Sequence, residues 1–456
     1  MTPPPPVLPG LQTGNRGMRP RAPVSDRPVA SPLAGSSLPL EGEPIVSLTE
    51  SSFYVGIDWA AETHAVCVLD SAGRVAAAFT ITHTGDGFAQ LLRRLSRLTQ
   101  DPVDVPVGIE RPDGRLVDAL LEAGHPVVPI SPNAIKAWRD GEVVSGAKSD
   151  AGDARVIAEY LRLRAHQLRP ATPYSAQTKA LRTVTRTRED LVHLRVAATN
   201  QLAALLDSHW PGAKAVFTDV ASAISLEFLT RYPTPLAAAS LGEKRMAAFC
   251  AKHGYSGRRP AAELLARLRQ APEGTTDEVL CEALRDAVLG QVTVLRALNT
   301  ALTNIDRSVS AHLGEHPDGE IFTSLPRSGR INAAQVLAEW GDARAAYDSP
   351  DAVAALAGLS PVTKESGKHR AVHFRWACNK RFRNAMTTFA DNSRHASPWA
   401  AHVYETARAR GHDHPHAIRI LARAWTRVIY RCWLDGVPYD PARHGNAAAL
   451  ATTQAA

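Results

Sequence analysis

Three strand-like runs in quick succession, "FYVGID", "THAVCVLD" and "GRVAAAFTI", constrain this chain more than anything else in it. Each is rich in β-branched or small apolar residues, and only short turns separate them. They predict an antiparallel meander from Phe53 onward, with the first strand ending near Asp58 and the second running from Ala65 to Leu69. The pattern then changes. A helical stretch from Gly87 to Leu98 precedes the buried-looking strand "VDVPVGIE", and the helix "GRLVDALLEAG" leads to "HPVVPI" and "SPNAIKAWRD". Strands alternating with helices after a meander require a mixed sheet covered by helices.

That order matches an α/β, RNase H-like core, expected over residues 49–170. Beyond it, residues 171–315 read as long helices around a Gly- and Pro-punctuated insert. In the second helix Leu280, Leu284, Val288, Gln291, Leu295, Leu298, Leu302 and Ile305 recur at mostly three- and four-residue steps, which predicts a coiled-coil seam within or between chains. A mainly α C-terminal domain is expected over 316–440. Its opening, "IFTSLPRSGRINAAQVLAEWGD", looks like a helix-hairpin-helix element, although Arg327 stands where such hairpins often have glycine; an ordinary helical corner fits equally. The Pro-rich leader, 1–48, and the tail, 441–456, are expected to be disordered.

Nothing suggests a membrane protein or an exported one, because no long apolar run and no signal-peptide pattern is present, so the expected location is cytoplasmic. The 5 scattered cysteines never form CxxC and point to reduced thiols.

Carboxylates carry the first chemical signal. Asp58 closes the first strand, Glu110 closes "VPVGIE", and Asp150 and Asp153 stand three apart at the start of "SDAGDARVIAEYLR", hence on one helix face. Taken alone the last two read as helix-start residues, since Asp favours caps and first turns. If the two strands are neighbours, however, all four acids emerge at one sheet edge. Clustered carboxylates repel, and divalent cations resolve that conflict. Mg²⁺ prefers oxygen ligands, and two ions about 3.5 to 4 Å apart stabilise both attacking and leaving oxygens of a phosphodiester.

Charge carries the second signal. From Pro361 to Arg431 there are 14 Lys and Arg against 4 Asp and Glu, a net of +10 that exceeds the +7 of the whole chain. Such asymmetry points to a polyanion, and nucleic acid is the candidate partner, with a merely solvated basic face as the alternative. A loop there is expected to carry Lys364, Ser366, Lys368 and Arg370; spacing alone does not favour Ser366 over Ser360 as a nucleophile. Arg419, Arg423, Arg427 and Arg431 recur every four residues, a basic helical stripe suited to phosphates, with a solvated outer face as the alternative.

The stretches "YVGIDWAAETHAVCVLD", "VGIERPDGRLVDALLEAGHPVVPISPNAIKAWR", "GAKSDAGDARVIAEYL", "SLPRSGRINAAQVLAEWGD" and "LAGLSPVTKESGKHR", in this order, resemble insertion-sequence transposases of the IS-one-ten family. The resemblance implies a RuvC-like DEDD domain and a C-terminal serine transposase domain. It implies that Asp58, Glu110, Asp150 and Asp153 are the metal-holding acids, with Mg²⁺ as the cofactor and two ions per site. Ser366 of "ESGK" then becomes the nucleophile, with Lys148 near the phosphate. It further implies a homo-oligomer, dimer or tetramer, whose composite sites join the acids of one subunit to the serine of another, and a structured noncoding bridge RNA that selects DNA. The leader and Arg327 depart from the family pattern.

Other readings remain on the sequence alone: a junction-resolvase-like nuclease using only the four acids, and a noncatalytic DNA-binding descendant. An actin-like sugar kinase is disfavoured, since no Gly-Thr pair follows Asp58.

Overall fold

The computed structural model describes residues 48, 50–111, 113–142, 149–366 and 369–444; the leader and most of the tail lie outside these. The meander forms as β1 (Phe53–Trp59), β2 (Thr63–Asp70) and β3 (Val75–Thr82), followed by α1 (Gly85–Leu95). Helix α1 begins earlier than the apolar pattern suggests because the Thr84 side chain accepts from Gly87 N and caps it. Then come β4 (Val107–Ile109), α2 (Arg115–Glu122), β5 (Val127–Pro129), α3 (Pro132–Glu142) and α4 (Asp150–Arg164). The sheet order is β3-β2-β1-β4-β5, antiparallel across the meander and parallel from β1 through β4 to β5.

The period-two alternation of strands sorts the side chains into two layers. Val55, Ile57, Val107 and Ile109 pack against α1 and α2, whereas Tyr54, Val128 and Ile130 face α3 and α4. Ala65, Cys67 and Leu69 meet Ala154 and Ala158 of α4.

The long helical region contains α5 (Ala176–His209), then α6 (Pro211–Val216), α7 (Ala223–Arg231), α8 (Pro235–Ala238), α9 (Glu243–Lys252) and α10 (Ala261–Gln270), then α11 (Glu278–Glu315). Thr178 bonds His316 at 2.8 Å, Arg188 pairs with Asp306 at 2.5 Å, and Arg195 donates to Asn299 at 2.8 Å. As one number rises the other falls equally, so α5 and α11 run antiparallel within one chain. The buried line of α11 is Cys281, Leu284, Val288, Val292 and Leu295, then Val309 and Leu313. It departs from the expected seam: Leu280 is exposed, and Val292 rather than Gln291 is buried. The reason is the insert, whose helices α6 to α10 fold over the far end of the pair and bury Phe217, Phe228 and Phe249 against Leu202, Leu206, Leu284 and Val288.

At the other end a helical body assembles from α12 (Gly319–Thr323), α13 (Arg330–Trp340), α14 (Pro350–Leu356), α15 (Lys380–Ser393), α16 (Pro398–Ala409) and α17 (His414–Asp435). Its core of Trp340, Trp425, Trp433, Phe382 and Phe389 extends to Leu181 of α5 and Val309 and Leu313 of α11. Buried Glu339 clamps this body to α5, accepting from Arg186 at 2.8 and 2.9 Å and from Asn379 at 2.7 Å. Burial pushes its carboxyl up, but the Arg186 and Asn379 bonds outweigh this and hold it below the ordinary range.

The turn between α12 and α13 contains Arg327 at φ 55°, the left-handed region glycine favours. The expected hairpin glycine is thus replaced by a residue made to take a glycine's conformation. Relieving this strain while adding chain entropy, Arg327→Gly is expected to stabilise the protein by about 0.5–1 kcal/mol, read as a higher urea midpoint.

Candidate active site

The corner where the acids gather follows from two glycines. In the parallel register Gly56 pairs with Gly108 and Ile57 with Ile109, so the next step sets Asp58 opposite Glu110, the first residue beyond β4. Strand alternation puts Asp58 and Glu110 on the same face as Gly56 and Gly108. A Cβ on Gly56 would collide with Ala154 O and Ala158 N, and one on Gly108 would lie 2.9 Å from Ile130 Cδ1 and 3.0 Å from Ile157 Cγ2. Absent side chains therefore let α4 lie directly on the sheet. Late in α4, Arg162 reaches Ser71 O at 3.4 Å, beside the start of β1. Helix α4 accordingly runs antiparallel to β1, and its first turn, with Asp150 and Asp153, comes to the strand ends that carry Asp58 and Glu110.

Helix capping is not the task of these aspartates. Ser149 is the N-cap, its side chain accepting from Gly152 N at 3.1 Å. Asp150 is left exposed, and buried Asp153 pairs with Arg139 of α3 at 2.7 Å. Among the described residues, no three His, Cys, Asp or Glu side chains stand close enough together to hold a metal ion. The topology brings the acids to one corner without closing them on a single point. Their chemistry still fits a divalent cation: all four are hard oxygen donors, and one is already held by a guanidinium. Lys148 lies outside the described residues.

The expected loop after Gly358 is instead a hairpin of β6 (Val362–Ser366) and β7 (His369–His373), a sheet of its own. Alternating apolar residues are missing there, which is why the sequence reads as a loop. Lys364 and Ser366 are exposed on β6, and Ser366 is its last residue, paired with His369. Lys368 and the Arg370 side chain lie outside the described residues. The basic stripe does form on α17, grading from half-buried Arg419 and Arg423 to exposed Arg427 and Arg431. Its arginines are partly engaged: Asp351 takes Arg423 at 2.9 Å and Arg427 at 3.9 Å, and Asp435 takes Arg431 at 2.7 Å. Arg423's hydrogen bond and charge hold the Asp351 carboxyl below its ordinary range.

Sequence reasoning missed Arg139 and Ser149. Ser149 was recoverable, since a serine just ahead of a helical run with acids in its first turn is a cap signal. Arg139 was not, because its pairing depends on how α3 lies beside α4.

Among the described residues, no helix is long and apolar enough to cross a membrane. A family model for DEDD transposases matches residues 55–211, and one for the IS116/IS110/IS902 family of transposases matches residues 319–405. A candidate transposase of the mini-circle IS117 from Streptomyces coelicolor is 32% identical over 86% of this chain and 96% of its own length. The 42 kDa protein of insertion element IS900 from Mycobacterium paratuberculosis is 30% identical over 72% of this chain and 81% of its own. The 43.6 kDa protein of insertion element IS110, also from Streptomyces coelicolor, is 28% identical over 64% and 72%.

Proposed function

The chain belongs to the IS116/IS110/IS902 family of insertion-sequence transposases, enzymes acting on DNA, and from that premise we propose that its α/β region is an RNase H-like, RuvC-like domain whose acids work with a serine. The reading rests on one observation above all: Asp58 stands opposite Glu110 at the ends of parallel strands, under the first turn of α4. Asp58, Glu110, Asp150 and Asp153 are the residues that would hold Mg²⁺, two ions per site. Bound there, the ions supply Lewis-acid stabilisation of the attacking and leaving oxygens.

The chain's own residues supply the rest. Ser366 Oγ forms the bond to phosphorus as the strand's P–O bond breaks, and the freed oxygen ends as a hydroxyl carrying the serine's proton. Lys148, Lys364, Lys368, Arg370, Arg419, Arg423 and Arg427 hold the phosphate backbone. Arg139 keeps Asp153 in position until the site closes. Exposure of β6 residues Thr363 to Ser366 supports a composite site, in which this hairpin enters the acid corner of another copy in a dimer or tetramer. A structured noncoding RNA is the proposed guide, and the long helical pair is a coiled-coil spacer.

A second reading, a nuclease using the acids alone, is favoured by the hairpin's lying on a sheet of its own. Ser366→Ala separates the two. The serine mechanism expects loss of the covalent protein–DNA product in a denaturing gel, with DNA binding kept; continued cleavage at the parental rate would establish the nuclease.

A further inference from the structure

A cavity of about 500 Å³ lies where the base of the hairpin meets α17, lined among others by Ser360, Phe374, Arg375, Arg419, Arg423 and Arg427. Its charge is poorly balanced. Among the described residues Asp351 is the carboxylate that pairs with the arginines of this wall, and it reaches Arg423 and Arg427. Arg419 instead stacks over Phe374 at 4.9 Å, and Arg383 sits over the same ring at 4.4 Å. Two guanidinium groups thus share one aromatic ring. Burial and the charge of Arg383 pull Arg419 below its ordinary pKa, although Asp413 opposes them.

Two polar atoms make this a built site. The Ser360 hydroxyl, on a residue 9% exposed, has no hydrogen-bond partner, and neither does the buried Arg423 Nε. Unsatisfied buried donors beside crowded cations are costly unless an anion meets them. Arg375 Nε donates to Ser360 O at 3.1 Å, fixing the serine in the wall.

Beside the cavity, Trp376 is 78% exposed and packs edge-on against Phe374 at 4.8 Å. A bare indole next to an arginine-lined hollow roomy enough for a nucleotide's phosphate and sugar suits a nucleotide whose base is unpaired, because a duplex presents no free base face. We propose that this cavity takes one backbone phosphate of a single strand, with Ser360, Arg419 and Arg423 donating, while the adjoining base stacks on Trp376. The inference rests on the transposase reading and adds a single-strand grip at the base of the Ser366 hairpin.

The test is equilibrium binding of the full chain to oligothymidine, oligouridine and a duplex of equal length, with thermal melting as the fold control. Trp376→Ala is expected to weaken single-strand binding about 10-fold and leave the duplex unchanged. Ser360→Ala is expected to weaken it about 5-fold, and Arg419→Gln to reduce the salt slope on single strands by about 0.7. Loss confined to oligothymidine or to oligouridine identifies the strand as DNA or RNA. Unchanged single-strand affinity in Trp376→Ala and Ser360→Ala, or equal losses on duplex, would overturn the proposal. Asp150→Asn run alongside keeps the parent reading separate: it should bind every probe normally while losing strand cleavage.

Discussion

An Asp150→Asn variant is expected to fold like the parent and to lose DNA strand cleavage and joining by at least about 10³-fold. The fold should survive because the helix does not depend on this side chain; Ser149 caps α4, and Asp150 is exposed. Activity should not, because an amide cannot supply the charge that draws a divalent cation to the corner facing Asp58 and Glu110. The measurement is excision from a plasmid-borne substrate, with circular dichroism and melting in parallel. Retained strand exchange at the parental rate would remove Asp150 from the site. Asp153→Asn is less clean as a test, since it also leaves half-buried Arg139 facing a neutral partner.

The second large effect is mechanical. Gly56→Ala introduces a Cβ into the space of Ala154 O and Ala158 N, which are backbone atoms of α4 and cannot rotate away. Helix α4 must lift from the sheet, at a cost of about 3 kcal/mol or more, seen as a melting temperature lower by roughly 10 °C. Lifting α4 also carries Asp150 and Asp153 away from the strand ends, so cleavage should fall even at temperatures where the protein is folded. Gly108→Ala is the control. Its added Cβ meets the ends of Ile130 and Ile157 side chains, which can adjust, and about 1 kcal/mol is expected. If the two variants melt and cleave alike, close packing of α4 is not what brings the acids together.

Much of the α/β region was legible because its signals are local. The β-branched and small apolar runs such as "THAVCVLD" and the short turns around them fix the meander, and Asp58 and Glu110 fall at strand ends, one just inside β1 and one just beyond β4, wherever the sheet places them. The register that sets them opposite one another is not local, and only the paired glycines hint at it. The helix-start reading of Asp150 and Asp153 held, since both stand in the first turn of α4, but the cap itself is Ser149. The seam failed at Gln291 for a different reason: the insert has its own core, and α11 turns toward it. The hairpin carrying Ser366 was illegible because both its strands are polar, leaving no period to detect. The charge count overstated the free cations, as Arg381 is taken by Glu189 and Asp190 and Arg394 by Asp391.

The antiparallel pair of α5 and α11 sets a length as well as a connection. Lys179 bonds Asp118 at 2.6 Å near one end, so the α/β region is tied to the base of α5, while the insert helices cover the opposite end. A helix of 34 residues extends about 50 Å, the rise of about fifteen base pairs of B-form DNA. The pair is therefore a calliper with one jaw on the α/β region and the other on the insert. Deleting equal turns from both helices would shorten its reach in steps of about 5.4 Å without touching either jaw.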